Sequence, residues 1–191
     1  MKRDFACKTH ELFRSEGFDL IVSGAGKIES AVATSLILID SASSFAVNFG
    51  ICAGPAKEQL GEIYLVNKIV DQSSGKSHFP DVLQDLALKE SALTTVDMPA
   101  SDAELHKSLV DMEGAGFFLA ARKFLSPDKI VCLKLVTDLC KPEDVSVKRV
   151  EQLISAKFNQ LKRILEQLAS FDRSRPAVLE RAFIQPHEIP A

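Results

Sequence analysis

Residues 109–118 read LVDMEGAGFF. A short apolar run closes on Asp111, Met112 and Glu113, and then turns into small residues and what reads as a helix. The pattern delivers a carboxylate to the end of a strand. In an open α/β sheet, ligands sit outside the carboxyl ends of strands, where backbone groups and side chains converge on a crevice. Glu113 is placed for that role. Gly114, Ala115 and Gly116 remove bulk from the first helical turn, which lets a ligand or a neighbouring strand come close to the backbone. The same letters also fit an ordinary helix start whose acidic residue offsets the helix dipole, and taken alone the stretch fits that plainer reading better.

Downstream, Asp128 to Val136 contains KIVCLKLV, the clearest strand in the chain, and it stops at Thr137-Asp138, a second carboxylate at a strand end. Upstream, Phe18 to Ser23 reads as a buried strand that feeds SGAGK into a helical stretch, Ile28 to Ile39. Glycines there permit positive φ and close approach, and the new helix offers free N–H groups to an anion or a sugar hydroxyl. Gly24, Gly26 and Lys27 are therefore candidate anion ligands. The segment lacks the Walker spacing and is not a full dinucleotide fingerprint, so a tight packing turn is the competing reading. Ser44 to Gly50 reads as another buried strand, ending in Ile51-Cys52-Ala53-Gly54-Pro55, so two glycine-rich tips flank one edge.

Gly61 to Val70 alternates as an exposed-face strand, followed by a polar loop from Asp71 to Asp81 that carries His78, Phe79 and Pro80. Leu93 to Val96 reads as a short strand with Asp97-Met98-Pro99 at its tip; Met98 is either core filler or a wall for a flat ligand. A connector, Ala100 to Lys107, precedes the pivotal strand. Ser146 to Phe171 reads as a long amphipathic helix capped by Ser146, with Val147, Val150, Ile154, Leu161, Leu165 and Leu168 at helical spacing, covering one face of the sheet. Residues 1–173 are expected to form one domain and 174–191 a proline-containing extension.

Composition narrows the function. Hydrophobic residues make up 46% and charged residues 26% of the 191, which is ordinary for a folded domain. The net charge of -3 and the lack of a basic run leave out the electrostatic footprint of a nucleic-acid binder. Apolar stretches such as Ala31 to Ile39 fall far short of the roughly 20 residues that span a bilayer, and the polar start does not resemble a secretory signal. Cys7, Cys52, Cys132 and Cys140 have neither metal spacing nor the density of a disulfide scaffold. Four reduced thiols in a cytoplasmic protein are the expectation, with no metal and no cofactor.

Taken in order, the tips SGAGK, NFGICAG, VDMEGAG and KLVTD resemble those of the purine nucleoside phosphorylase and uridine phosphorylase superfamily, and most of all its methylthioadenosine/adenosylhomocysteine nucleosidase branch. The resemblance runs from about Phe18 to Lys141, the long C-terminal helix agrees with it, and LGEIYLVNKIVD falls where that family has its GD-containing strand. It implies a three-layer α/β/α fold with a mixed central sheet, and cleavage of a purine nucleoside N-glycosidic bond. By similarity Asp138 is the general acid, aimed at N7 of the base. Glu113 resembles the ligand of the ribose hydroxyls, with Met112 against the sugar; Asp111, Cys52, Ala53 and Gly54 belong to the same substrate rim. Met98 and Phe79 are candidates for packing on the base. The implied partners are a small-molecule nucleoside, with phosphate open as co-substrate, and further copies of the chain in a homodimer or larger assembly; neither a nucleic acid nor a membrane is expected.

The chain also departs from that family. Its members normally begin with another strand and a glycine-containing turn that carry the phosphate ligands of phosphorylases or the water-activating glutamate of nucleosidases. Here Phe5 to Phe13 reads as the hairpin that follows that unit, and the usual first strand is expected to be absent. Ile51 stands where the family commonly has a serine. These departures favour hydrolysis over phosphorolysis, and they keep a second reading open, a nucleoside-binding homologue with little turnover. An unrelated α/β protein, in which both carboxylates are caps or salt-bridge partners, fits the ordered tips least.

Overall fold

Nine residues in a row, Ile130–Asp138, form a strand in which every position is buried. Only a strand covered on both faces has such a pattern, and the layers on either side of it follow from its alternation. Ile130, Cys132 and Val136 point into one apolar core with Leu38, Phe117 and Phe118. Val131, Leu133 and Leu135 point into another, with Ile164 and Leu168. Each such side chain contributes about 1.5–3 kcal/mol by leaving water.

The computed structural model describes residues 1–5, 7–40, 43–99 and 107–174. Residues 100–106 of the expected connector and 175–191 of the expected extension lie outside the described residues. The elements in chain order are β1 (Lys2–Asp4), β2 (Glu11–Arg14), β3 (Leu20–Val22), α1 (Lys27–Asp40), β4 (Ala46–Ala53), β5 (Ile63–Asp71), β6 (Ser77–His78), β7 (Lys89–Thr95), β8 (Leu109–Asp111), α2 (Gly114–Ala121), β9 (Ile130–Asp138) and α3 (Val147–Ser174), with short 3-10 turns at Pro127–Lys129 and Pro142–Asp144. The main sheet runs β6-β5-β7-β8-β4-β9, and β5 also pairs with β9. Five strands therefore close a ring. It is mixed: β4–β9, β5–β7 and β7–β8 are parallel, whereas β4–β8 and β5–β9 are antiparallel. Helices α1 and α2 cover one face and α3 the other, the expected α/β/α arrangement.

Several sequence expectations change in the details. Phe18 to Ser23 is not a buried strand of the main sheet. Its Leu20–Val22 core pairs only with β2, in a separate antiparallel sheet β1-β2-β3, so alternate residues face outward and Leu20 and Val22 are half exposed. β5, expected to have a solvent face, is buried at Ile63, Tyr64, Leu65, Val66 and Ile69, because it is paired on both edges and lies between the two cores. β4 runs on through Ile51-Cys52-Ala53, so the small-residue tip belongs to the strand. The polar loop after Asp71 includes β6, and β7 begins earlier than expected, at Lys89.

α3 starts as expected, with Ser146 Oγ accepting from Arg149 N at 3.3 Å. Its buried stripe, however, runs through Ile164 and Leu168, flanked by Leu153, Ile154 and Leu161. Val147 is 77% exposed.

The small residues after Glu113 are explained by contacts inside the protein. A Cβ on Gly116 would lie 2.0 Å from the Lys27 carbonyl oxygen, and one on Gly114 would lie 2.6 Å from Leu93 Cδ2. The first turn of α2 is thus pressed against the first turn of α1 and the middle of β7. Because the obstacle at Gly116 is backbone, Gly116→Ala forces the two helix starts apart. It is expected to cost about 1–3 kcal/mol, as overpacking does, and a urea titration with unchanged m-value checks it.

Candidate active site

Strand pairing brings the carboxylate-bearing ends together. Ala53, the last residue of β4, is the partner of Val110 on β8 and of Asp138 on β9. Strands are spaced about 4.8 Å apart, so β4 separates the segment leading to Glu113 from the one ending in Asp138 by one strand width on each side.

The β4 and β9 tips are locked to each other. Gly54 N donates to Asp138 O at 2.9 Å, and Thr137 Oγ1 donates to Cys52 O at 3.4 Å. Asp138 is 7% exposed, and its Oδ1 accepts from Lys141 N at 2.9 Å. Gly54 has no room for a side chain, since a Cβ would meet Val136 Cγ1 at 3.0 Å and Glu58 Cβ at 3.1 Å. Burial holds the Cys52 thiol well above its ordinary pKa and raises that of Cys132 to about 12, so both stay protonated. None of the four cysteines forms a disulfide.

Glu113 occupies the residue before α2 but does not cap its own helix. Its Oε1 accepts from Gly26 N at 2.8 Å and its Oε2 from Met112 N at 3.3 Å. An ionised carboxylate offers about four lone-pair positions, so about half remain for a ligand. The tips VDMEGAG and SGAGK thus meet directly. Gly24 and Gly26 have φ of 78° and 97°, the left-handed conformation that this turn requires and that glycine adopts without a Cβ penalty.

Asp111 has a different place from its neighbour. Its side chain is fully enclosed, with Oδ1 accepting from Thr95 Oγ1 at 2.7 Å and Oδ2 from Gly114 N at 2.7 Å. Thr95 Oγ1 in turn accepts from Ala115 N at 3.0 Å. Free N–H groups at the start of α2 are therefore satisfied from within the protein. Asp111 Oδ2 also lies 2.8 Å from Lys134 Nζ, whose side chain is 1% exposed. The contact lacks hydrogen-bond geometry and leaves the ammonium without a hydrogen-bond partner among the described residues. Burial opposes the charge on Lys134, but the Asp111 carboxylate outweighs it and the lysine pKa lies above its ordinary value. Gly50 makes room for this ammonium, since a Cβ there would lie 2.9 Å from Nζ.

Lys27, an expected anion ligand, is surrounded by oxygen. Its Nζ lies 2.8 Å from Asp71 Oδ1, Ser73 Oγ and Asp97 Oδ1. Burial pushes the Asp71 carboxyl up, but Lys27, Ser74 and Ser73 more than reverse this, so its pKa falls below the ordinary carboxylate value; that of Lys27 rises, through its hydrogen bonds to Asp71 and Asp97. A lowered carboxylate pKa stabilises the fold above the ordinary value and loses that contribution as pH falls through the native one. Met98 and Phe79 are 75% and 61% exposed, and Phe79 lies under Lys68, with Nζ 5.9 Å from the ring centroid. Among the described residues no group of three or more His, Cys, Asp or Glu is placed to hold a metal ion, and no helix is long and apolar enough to cross a membrane.

Sequence reading missed Lys134, Thr95 and Asp71. The signal for Lys134 was present: a lysine inside the apolar run VCLKLV, in register with Cys132 and Val136 on the same face of the strand. Thr95 and Asp71 have no such signal, because the charged partners that draw them into the site, Asp111 and Lys27, lie 16 and 44 residues away in sequence.

This geometry has parallels in solved structures. The arrangement is the mixed-sheet α/β/α fold of the nucleoside phosphorylase and nucleosidase superfamily. In particular, it is the fold of the 5′-methylthioadenosine/S-adenosylhomocysteine (MTA/SAH) nucleosidases. The chain superposes on the apo 5′-methylthioadenosine nucleosidase of Arabidopsis thaliana with a TM-score of 0.71 and 19% identity, covering 92% of this chain and 88% of that one. For the MTA/SAH nucleosidase of Colwellia psychrerythraea in complex with adenine the values are 0.63 and 20%, covering 83% and 82%. For an Asp-to-Asn variant of the Chlamydia trachomatis MTAN bound to MTA they are 0.58 and 16%, covering 91% and 88%. No protein-family model matches the chain, and no curated relative matches it.

The buried Lys134–Asp111 pair makes one prediction. Removing one member of such a pair leaves the other charge buried and alone, which costs about 3–5 kcal/mol. Lys134→Met is expected to lose stability on that scale by chemical denaturation. Adding Asp111→Asn should recover part of the loss, because the amide removes the orphaned charge.

Proposed function

We propose that the chain cleaves the N-glycosidic bond of a purine nucleoside by hydrolysis, with 5′-methylthioadenosine and S-adenosylhomocysteine first among its substrates. The observation that carries this reading is the position of Ala53 between the strand segments that deliver Asp138 and Glu113. A base, a ribose and a bond between them fit a rim with one carboxylate on each side. The fold shared with structures that hold adenine and MTA points to the same class of ligand.

Asp138, in its protonated form, gives its proton to N7 of the purine as the bond to the sugar lengthens. The base then leaves neutral instead of as an anion, and general-acid help of this kind is worth about 10²–10⁴ in rate. Glu113 accepts from the ribose hydroxyls through the lone pairs that Gly26 and Met112 leave open. Those bonds strengthen as the ribosyl group becomes cationic, which lowers the barrier as in glycoside hydrolysis. Met112, beside Glu113, faces the sugar, and Cys52, Ala53 and Gly54 form the wall between the two carboxylates. Met98 and Phe79, both exposed, close over the base only with ligand present. Asp111 acts behind Glu113, as the internal carboxylate that fixes the start of α2.

Water is the proposed acceptor of the ribosyl group. Phosphorolysis needs a cationic or N–H-rich pocket that holds the anion in line. In the SGAGK turn the Gly26 N–H is given to Glu113, and the Lys27 ammonium to two carboxylates and a hydroxyl.

Asp138→Asn is expected to lower turnover of 5′-methylthioadenosine by about 10²–10⁴ with little change in KM, since the proton is needed in the transition state. A variant that retains wild-type turnover sinks the assignment. Products separate the acceptors: a free sugar supports hydrolysis, whereas a ribose 1-phosphate formed only with added phosphate overturns it. Nucleoside binding without any product would replace the enzyme by a non-catalytic homologue.

Self-association is part of the proposal. Ile28, Val32, Leu36 and Ile39 lie along one side of α1 and are 78%, 44%, 41% and 73% exposed, with Phe18, Leu20 and Val22 also half exposed. An uncovered apolar stripe of that extent marks an interaction surface, and a second copy is the occupant proposed for it. Light scattering should give at least twice 20.9 kDa; the mass of one chain across a wide concentration range would contradict it.

A further inference from the structure

The first residue of α1 carries a cation. A positive charge there works against the helix dipole, and its placement is offset by what it binds. All three donors of the Lys27 ammonium have an oxygen at 2.8 Å: Asp71 Oδ1, Ser73 Oγ and Asp97 Oδ1. Asp71 ends β5, and its carboxylate is itself fixed by Ser73 Oγ at 3.0 Å and Ser74 Oγ at 2.6 Å. Asp97 lies two residues beyond β7. The ammonium therefore ties the start of α1 to the ends of two parallel strands.

Two backbone contacts extend this clasp toward Glu113. The Lys27 carbonyl rests against Gly116, where no Cβ fits, so α1 cannot approach α2 more closely. The amide just before Lys27, that of Gly26, donates to Glu113 Oε1 at 2.8 Å. The turn is thus pulled from one side by Lys27 and stopped on the other by Gly116. Between the two, the Gly26 amide has one position, and Glu113 is held by it.

We propose that Lys27 is a positioning residue for Glu113: its clasp on Asp71 and Asp97 sets the Gly26 amide that fixes the carboxylate on the ribose hydroxyls. The inference rests on the role proposed for Glu113 in nucleoside binding. It also accounts for the lysine without an anion, since none of its donors is left for one.

The test uses two probes, adenine and a C-nucleoside analogue of 5′-methylthioadenosine, whose carbon–carbon link resists hydrolysis, with binding measured by calorimetry. Lys27→Met should weaken the C-nucleoside by about tenfold, the scale of a partly lost charged hydrogen bond, and leave adenine unchanged. Combined with Glu113→Gln it should add nothing to the loss from Glu113→Gln alone, and Lys27→Arg should restore binding. Amide exchange of Gly26, followed by NMR, should quicken in Lys27→Met as it does in Glu113→Gln. Additive losses, equal loss of adenine, or unchanged Gly26 protection would overturn the proposal. If Lys27→Met does not fold, Asp97→Asn, at a side chain 62% exposed, must show the same pattern at smaller amplitude. Should the wild-type protein bind neither probe, the nucleoside reading falls, and Gly26 exchange alone decides whether the clasp exists.

Discussion

The structure depends on a lysine in the middle of its most buried strand. Lys134 faces the layer of α1 and α2 between Cys132 and Val136, and the nearest opposite charge is Asp111 on β8. Taking two ions out of water costs several kcal/mol each, which their attraction offsets only with good geometry and further hydrogen bonds. Asp111 receives such bonds from Thr95 and Gly114, whereas Lys134 has, among the described residues, only its 2.8 Å contact with the carboxylate. A pair with these requirements tolerates few alternative arrangements: β9 must bring Lys134 opposite Gly50, the residue without a side chain, and β8 must end at Asp111. The closed ring of β5, β7, β8, β4 and β9 is compatible with that demand, whereas a one-residue slip of β9 would turn Lys134 toward the apolar layer of α3.

The pair also determines what Glu113 is free to do. The start of a helix draws negative charge to its unsatisfied N–H groups, and here that need is met by Asp111 and, through Ala115, by Thr95. Glu113 is two residues further on and is released from capping. It reaches sideways to Gly26 instead, and about half of its lone-pair positions stay open. Two carboxylates two residues apart thus take separate tasks, one internal and one at the rim, because the strand ends at Asp111 and the backbone at Glu113 has already left the extended conformation, with φ and ψ of -119° and -35°.

Much of this was legible in the sequence, but unevenly. The strand tips were readable because glycine turns and carboxylates at the ends of apolar runs are local signals. So were α1 and α3, whose periodicity needs no partner. The reach of β5 into both cores was not legible, because its alternation implies a solvent face and only the helices packed on either side remove it. The surface position of β3 could not be read either, since burial of an apolar triplet depends on which strand it pairs with, and β2 is its partner. At the candidate site, the sequence pointed to both carboxylates and to the SGAGK turn. It did not reveal that Asp111 is internal or that Lys27 is bound by Asp71 and Asp97, 44 residues away in the first case. Those pairings arise from the crossing of parallel strand ends with a helix start, which no local pattern encodes.

The charge balance around the turn bears on the chemistry proposed for it. Asp71 and Asp97 share a single ammonium, Lys27, and Glu113 sits on the Gly26 amide just before it, so the rim beside Gly26 carries an excess of negative charge. A phosphate dianion approaching that rim meets repulsion and finds the nearest N–H already donated. In the proposed reaction, a ribosyl group that loses its base would meet the opposite condition, because positive charge would grow on the sugar beside carboxylates already held in place. Fixed charges of this kind need no reorganisation when the reaction charge appears, which is the condition under which electrostatic stabilisation is most effective. The arrangement that makes Lys27 unavailable to an anion is therefore the same one that would favour the cationic transition state of the proposed reaction, with water as acceptor.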